Sequence, residues 1–255
     1  MTELLTRLTD LAQLSEPVML AFLFVLIRVG AAVSLLPAFG EHSVPQRVKL
    51  AIAICFTLIV APAIPPVDPR FSVLALIGEA AIGLMLGLGV RMFVFALQTA
   101  GAIIAQSISL SQLFGVMGEP QPVIGNFLTL AALAVAVSAG LHLRAAELLI
   151  LSYDLLPPGR GLPAPDLAQW GVAQVTRMFM LGFALSAPFV IASFLYNVAI
   201  GIINRAMPQL MVSMVGAPAI TLGGIALFAI ASPLMLQIWL SALEGFLAAP
   251  LRGGP

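Results

Sequence analysis

The sequence predicts an all-α membrane protein, and its composition, the length of its apolar segments and their periodicity lead to that fold class. Of the 255 residues, 61% are apolar and only 9% are charged, whereas ordinary soluble domains carry roughly 25% charged residues. A water-soluble fold of this size has too little interior to bury so much apolar surface. Strands are not expected, because no alternation of period two persists beyond a few residues. Much of the chain must therefore contact lipid, or protein that lies at bilayer depth.

Six apolar segments approach the roughly 20 residues that a helix needs to cross a bilayer core of about 30 Å. Five stretches with the chemistry of turns separate them. We therefore expect about six long, partly broken apolar helices arranged as hairpins. The segments are Pro17–Ala38, Val48–Ile64, Val73–Leu97, Val123–Leu151, Arg177–Ile203 and Met211–Leu243. The separating stretches are Phe39–Gln46, Pro62–Pro69, Gly115–Pro122, Leu155–Pro165 and Asn204–Gln209.

Charged residues lie inside or at the edges of these segments, among them Arg28, Glu79, Arg91, Glu147 and Arg177. A charge at the centre of a bilayer costs at least about 2.5–3.5 kcal/mol and almost always faces protein or water. Lys and Arg are also spread almost evenly along the chain, so the positive-inside rule gives no simple topology. We therefore expect the apolar faces to pack largely on other protein.

The third segment contains the pair Gly83-x-x-x-Gly87. Two small residues at this spacing lie on one face of a helix and let a second helix backbone approach closely. Glycine is also simply common in membrane helices, so the pair alone is a weak motif. We expect close helix packing at this face.

The sequence does not support catalysis, a metal site or a cofactor. His142 and Glu147 are five residues apart, which is the wrong spacing for the paired histidines of an H-E-x-x-H site, and His42 has no second ligand nearby. No nucleophile elbow and no P-loop lysine motif occurs. Eleven basic and eleven acidic residues cancel, so no net field attracts nucleic acid. The rival to a structural role is a small-solute carrier with broken helices, although no convincing internal repeat supports it.

Three stretches resemble one family, the FliR/SctT export-gate subunits of type III secretion, in its flagellar form. The first runs from Pro37 to Ala51, P-A-F-G-E-H-S-V-P-Q-R-V-K-L-A. The second runs from Asn204 to Pro218, N-R-A-M-P-Q-L-M-V-S-M-V-G-A-P. The third is supporting: it begins at Gly140-Leu-His142 and continues to Ser152-Tyr153 and Pro157-Pro-Gly159. The order of the motifs agrees across essentially the whole chain.

This resemblance implies one export-gate domain over residues 1–255, with a FliP-like portion at about 1–175 and a FliQ-like helical hairpin at about 176–255. The implied partners are FliP and FliQ, FlhB on the cytoplasmic side, unfolded flagellar export substrates and membrane lipid. The implied location is the bacterial inner membrane at the flagellar basal body. In such an assembly, sister subunits would cover the charged residues of the apolar helices. A virulence-type secretion subunit of the same family remains the alternative.

The family also places a pore plug after the third apolar segment, and the matching region here is about residues 106–117. Serine and glutamine interrupt an apolar helix in this region, while methionine and bulky apolar residues suit a plug that fills an irregular space. An ordinary broken helix that turns a corner is the alternative. The candidate plug residues are Gln106, Ile108, Leu110, Gln112, Leu113, Phe114 and Met117.

The residues of the two specific motifs are expected to serve assembly. Several of them have simpler explanations: Pro45 fits the start of a helix, Arg47 and Lys49 fit headgroup anchors, and Asn204, Arg205 and Gln209 fit the backbone of a tight hairpin. The functional expectation is contact with FliQ-like neighbours or FlhB. The candidate assembly residues are Pro37, Pro45, Arg47, Lys49, Asn204, Arg205, Pro208, Gln209, Gly216 and Pro218.

Overall fold

The structure, a computed structural model, describes residue 19 and residues 21–41, 43–64, 73–108, 123–159, 163–207 and 212–251. All regular secondary structure in these ranges is helical, which confirms the predicted all-α class. The helices are α1 (Ala21–Leu35), α2 (Gln46–Val60, continued by a 3-10 turn at Ala61–Ala63), α3 (Val73–Ser107), α4 (Val123–Ser138), α5 (Leu141–Leu155), α6 (Ala164–Ala206) and α7 (Val212–Ala248).

Four of these helices are long and apolar enough to cross a bilayer: α2 with its 3-10 turn, α3, α6 and α7. Helices α4 and α5 are separated by a break and count as a fifth span only if the pair is taken together. Helix α1 is apolar but shorter. The described residues therefore have the helices of a membrane-type protein, with four or five candidate spans.

The predicted fourth segment, Val123–Leu151, is not one continuous helix. Gly140 separates α4 from α5 with a φ of +88°, in the left-handed region that glycine occupies without strain. The backbone N–H groups of Leu143 and Arg144 both donate to the Gly140 carbonyl oxygen and start α5. The supporting motif that begins at Gly140 therefore marks a break between two helices.

Two helices extend ten residues or more beyond their predicted segments. Helix α3 continues ten residues past Leu97 to Ser107, and α6 begins at Ala164 rather than at Arg177. Prolines also lie inside helices, with Pro188 in α6 and Pro233 in α7. Proline removes the hydrogen bond to the carbonyl four residues earlier. For Pro233 that carbonyl belongs to Ala229, and it accepts a hydrogen bond from the Ser232 hydroxyl at 3.4 Å.

The chain forms two compact units. The first contains residues 1–91, 140–172 and 245–255. In it, α1 and the first half of α3 run in the same direction at very close range. A Cβ atom added to Gly87 would lie 2.5 Å from the Ala32 carbonyl oxygen, and one added to Gly83 would overlap the Arg28 carbonyl oxygen. The predicted close packing at this glycine pair is confirmed.

The second unit contains residues 92–139 and 173–244. Helices α6 and α7 form an antiparallel hairpin in it, with the rings of Phe189 and Phe228 6.3 Å apart. The indole N–H of Trp239 on α7 donates to the Phe93 carbonyl oxygen on α3 at 2.8 Å, in a buried position. The contact between Phe189 and Phe228 agrees with the expected hairpin of the last two apolar segments, and the Trp239 hydrogen bond ties α7 to α3.

The glycine contact between α1 and α3 gives a stability prediction. The substitution Gly83→Ala should lower the free energy of unfolding by about 1–3 kcal/mol, because the added methyl group forces the two helix backbones apart. Gly30→Ala in α1 is the matched control, because no described atom lies within 4 Å of its added Cβ. That change should be neutral, or stabilising by up to about 1 kcal/mol. Thermal unfolding in detergent measures both, and equal effects would contradict the packing argument.

Candidate functional site

A buried arginine and a buried glutamate form the polar centre of the first unit. Arg28 on α1 is 0% exposed and Glu79 on α3 is 1% exposed. The Arg28 Nε donates to the Glu79 Oε2 at 2.5 Å. Two ionised side chains so close together neutralise each other, and each removes much of the desolvation cost of the other.

The rest of the Arg28 guanidinium binds the end of α5. One terminal nitrogen donates to the Ser152 carbonyl oxygen at 3.1 Å and to the Ser152 hydroxyl at 3.2 Å. The other donates to the Leu156 carbonyl oxygen at 3.0 Å. The last carbonyls of a helix lack partners within the helix, and a cation there also interacts favourably with the helix dipole. Arg28 therefore caps α5 from another helix.

Glu79 holds the chain that follows α5. Its second carboxylate oxygen accepts a hydrogen bond from the Gly159 backbone N–H at 3.2 Å, where Gly159 has a φ of +75°. The ring of Tyr153 lies against the guanidinium, with 3.8 Å between the Arg28 Cζ and the ring centroid. Such a cation–π contact adds to the stabilisation of a desolvated arginine. We call these residues, Arg28, Glu79, Ser152, Tyr153, Leu156 and Gly159, the charged cluster.

The charged cluster corrects one explanation drawn from the sequence. Arg28 and Glu79 do not need sister subunits to cover them, because they neutralise each other within this chain. Arg91 likewise lies 3.7 Å from the carboxylate of Glu41, and Arg144 lies 3.5 Å from that of Glu147. The carbonyls and the carboxylate around Arg28 are used in internal bonds, and no group of three metal-ligating side chains occurs in the described ranges. The arrangement is suited to holding helices in place.

The first family motif folds into a compact turn between α1 and α2. The Lys49 ammonium donates to the Gly40 carbonyl oxygen at 2.9 Å, and Arg91 donates to the Leu35 carbonyl oxygen at 3.3 Å. Lys49 therefore has a structural contact within the chain. Pro45 directly precedes α2, as its sequence position suggested. Of the other two candidate assembly residues in this motif, Pro37 is buried and Arg47 is exposed.

The second family motif lies in the second unit. Asn204 and Arg205 are exposed residues in the last turn of α6, so the predicted hairpin tip begins later than Asn204. Gly216 is buried in α7, and its carbonyl oxygen accepts a hydrogen bond from the Tyr196 hydroxyl at 2.8 Å. Pro218 is exposed inside α7. The remaining two motif residues, Pro208 and Gln209, lie outside the described residues.

The candidate plug begins at the end of α3. Gln106 is an exposed residue in the last turn of that helix. Ile108, the residue directly after the helix, is buried. The Thr221 hydroxyl on α7 donates to the Ile108 carbonyl oxygen at 2.8 Å. A Cβ added to Gly224, one turn further along α7, would overlap the Ile108 side chain. The remaining candidates, Leu110, Gln112, Leu113, Phe114 and Met117, lie outside the described residues, and the plug stays a prediction.

Sequence reasoning did not single out Thr221, Tyr196 or Trp239 as contact residues. Each is a side chain with a donor in a long apolar helix, and each donates to a backbone carbonyl of another part of the chain. An isolated polar group in an apolar helix is a usable signal, because it needs a partner away from water. The sequence alone does not show which carbonyl supplies that partner.

The fold, its candidate spans and the charged cluster define an all-helical membrane-type chain without a catalytic constellation among its described residues. A family model described as bacterial export proteins, family 1, matches residues 19–246. The chain is 32% identical to the flagellar biosynthetic protein FliR of Caulobacter vibrioides, over 84% of this chain and 89% of that protein. It is 33% identical to the FliR of Escherichia coli, over 82% and 83%, and 32% identical to that of Bacillus subtilis, over 78% and 80%.

These matches place the chain in the class of bacterial export proteins. Within that class it belongs to the FliR family of flagellar biosynthetic proteins.

The charged cluster gives a second stability prediction. Arg28→Met should lower the free energy of unfolding by about 3–5 kcal/mol, because Glu79 is left buried without its partner. The double variant Arg28→Met with Glu79→Met removes both charges and should recover much of that loss. Arg144→Gln is the control, since the Arg144–Glu147 pair is exposed, and it should change stability by less than about 0.5 kcal/mol. Thermal unfolding in detergent would contradict the pairing argument if the double variant were less stable than Arg28→Met.

Proposed function

We propose that this chain is a core subunit of the flagellar protein export gate. In this proposal it assembles with FliP and FliQ in the inner membrane at the basal body, next to FlhB. Together they form a helical channel through which unfolded flagellar proteins leave the cell. The observation that carries the proposal is the family match over residues 19–246, together with relatives that are named flagellar biosynthetic proteins. Those names favour the flagellar system over a virulence-type system.

The long helices of the second unit support a role inside a larger assembly. Exposed apolar side chains on α6 extend from Val175, which is 40% exposed, to Ile203, which is 43% exposed. These positions are roughly 42 Å apart along the helix axis, whereas the hydrocarbon core of a bilayer is about 30 Å thick. At the ordinary tilt of about 20° the apolar face is still longer than the core. Part of this face therefore needs cover from protein.

Helix α7 also has an exposed apolar surface that needs cover. Only 11% of its most apolar stretch is buried within the chain. Large apolar side chains are exposed from Leu222 to Ile238, and Ile230 between them is 78% exposed. Proteins rarely leave such contiguous apolar surface uncovered unless lipid or a partner protein covers it. The α6–α7 hairpin is the surface on which we propose that FliP-like or FliQ-like neighbours pack.

We further propose that the segment after α3 closes the resting channel. Support comes from the described start of that segment, because Ile108, one of the candidate plug residues, accepts a hydrogen bond from Thr221 on α7 and packs closely on Gly224. A closing segment needs a rigid base on at least one side if it is to return to one position. The hydrogen bond from Thr221 supplies a contact of this kind.

The proposed function is tested first by deleting the gene. The deletion strain should lose swimming and external filaments while its membrane remains intact, and an intact copy of the gene should restore both. A tagged copy purified in mild detergent should bring FliP and FliQ with it. A deletion strain that still exports flagellin would overturn the proposal. Activity of the purified chain alone as a solute transporter in liposomes would favour a carrier.

The plug proposal is tested by measuring ion leakage across the membrane. Replacing residues 106–117 with a shorter Gly/Ser loop should make the membrane leaky to small ions, because the channel then has nothing to close it. Thr221→Val should cause a smaller leak, since it removes the hydroxyl that holds Ile108. The control is Thr57→Val, because the buried Thr57 hydroxyl donates to the Ala53 carbonyl of its own helix. Unchanged conductance after the loop replacement would remove the plug claim.

A further inference from the structure

Helices α2 and α5 border an open apolar groove of about 520 Å³ in the first unit. Arg47, Ala51, Cys55 and Ile59 line it from α2, and His142 and Leu143 line it from α5. The groove is separate from the charged cluster, with which it shares no residue. Neither the glycine packing nor the contacts of the two family motifs accounts for it.

The groove follows a straight stripe of α2. Its lining residues there are Arg47, Ala51, Cys55 and Ile59, at every fourth position, and the residues directly after the first three of them, so they share one face of the helix over roughly 18 Å. Arg47 stands at one end of this stripe, in the first turn of α2, and apolar side chains with the single cysteine occupy the rest. On α2, the groove is therefore an apolar channel with one cationic side chain at its end.

Arg47 differs from the other arginines of the first unit that have been described above. Arg28, Arg91 and Arg144 each form an ion pair with a carboxylate of this chain. Arg47 is exposed, and no acidic residue is among the described residues that line the groove. A cation beside an apolar surface attracts an anionic headgroup while its aliphatic stem packs on apolar atoms. The groove therefore has an apolar surface for a hydrocarbon chain and a cation for an anionic headgroup, which are the two features that an anionic amphiphile needs.

The groove favours lipid over a protein partner by its charge and its position. Its cavity of about 520 Å³ is lined mostly by apolar side chains, with Arg47 as the charged residue among those described, and this combination matches an acyl chain joined to an anionic headgroup. Its wall α2 is also one of the four candidate spans, so lipid has access to it.

We propose that this groove binds an anionic phospholipid, with an acyl chain along the α2 stripe and the phosphate on the Arg47 guanidinium. Binding covers the exposed apolar side chains of the stripe and pairs the arginine with a charge. The lipid then stabilises the contact between α2 and α5 from outside the unit. This inference depends on the membrane class of the chain and not on the export-gate proposal.

Cys55 provides a local reporter for the test. It is the single cysteine of the chain, it is exposed, and it lines the middle of the groove. The full chain, purified with any subunits that accompany it, is placed in bilayers of phosphatidylcholine alone or mixed with phosphatidylglycerol. The rate at which the uncharged reagent N-ethylmaleimide modifies Cys55 is then measured. We expect the anionic lipid to slow modification about tenfold, which corresponds to tenfold occupancy of the groove over the empty state.

Two variants separate binding in the groove from a general effect of a negative surface. Arg47→Gln should lose most of the protection, whereas Arg144→Gln removes an exposed arginine outside the lining and should keep it. A reporter moved by one position, Cys55→Ala with Ile54→Cys, leaves the groove, because Ile54 is exposed but not a lining residue. This displaced reporter should not respond to the anionic lipid.

Several outcomes would overturn the proposal. One is equal protection of Cys55 in the original chain and in Arg47→Gln. Another is protection that appears in phosphatidylcholine alone and only when partner subunits are present, which would mean that protein covers the groove. A third is a response of the displaced reporter that matches that of Cys55. Extraction of the purified chain should also recover phosphatidylglycerol above its share in the membrane, and recovery at that share would contradict a specific site.

Discussion

The ion pair between Arg28 and Glu79 fixes how the helices of the first unit meet. Burying either charge alone costs several kcal/mol, so the fold is stable only when the two side chains face each other. Arg28 also satisfies carbonyl oxygens at the end of α5, and Glu79 binds the backbone after it. A shift of α1 along α3 by one turn would leave two buried charges and these backbone groups without partners. The pair therefore selects one register among those that apolar packing alone would permit.

Glycine makes that register possible. Gly83 and Gly87 lie one and two turns after Glu79 on α3, and they let the α1 backbone come so near that added Cβ atoms would collide with it. At this separation the short Glu79 side chain reaches the Arg28 guanidinium directly. The close approach also increases the number of van der Waals contacts between two helices that lipid cannot drive together by a hydrophobic effect. The ion pair and the close contact between the two helix backbones therefore depend on the same short stretch of α3, from Glu79 to Gly87.

The sequence predicted the helices better than it predicted their ends and their contacts. The length of an apolar segment depends only on neighbouring residues in the sequence, so the segments and the all-α class could be recognised directly. Gly140 separates two helices within one predicted segment and was not recognised as a break, whereas the predicted segments correctly continued through Pro188 and Pro233. The pairing of Arg28 with Glu79 joins residues 51 positions apart, and no local pattern shows which embedded charge faces which. The glycine pair could be predicted because its spacing itself defines a helix face.

Two kinds of apolar surface remain on the described part of this chain. The α2 groove is lined mostly by apolar side chains and ends at the exposed Arg47. The exposed apolar face of α6 is longer than the hydrocarbon core of a bilayer is thick. In the proposals made for these two surfaces, lipid covers the groove and neighbouring subunits cover part of the α6 face. A chain covered in this way would lie at the boundary between the membrane and a protein channel.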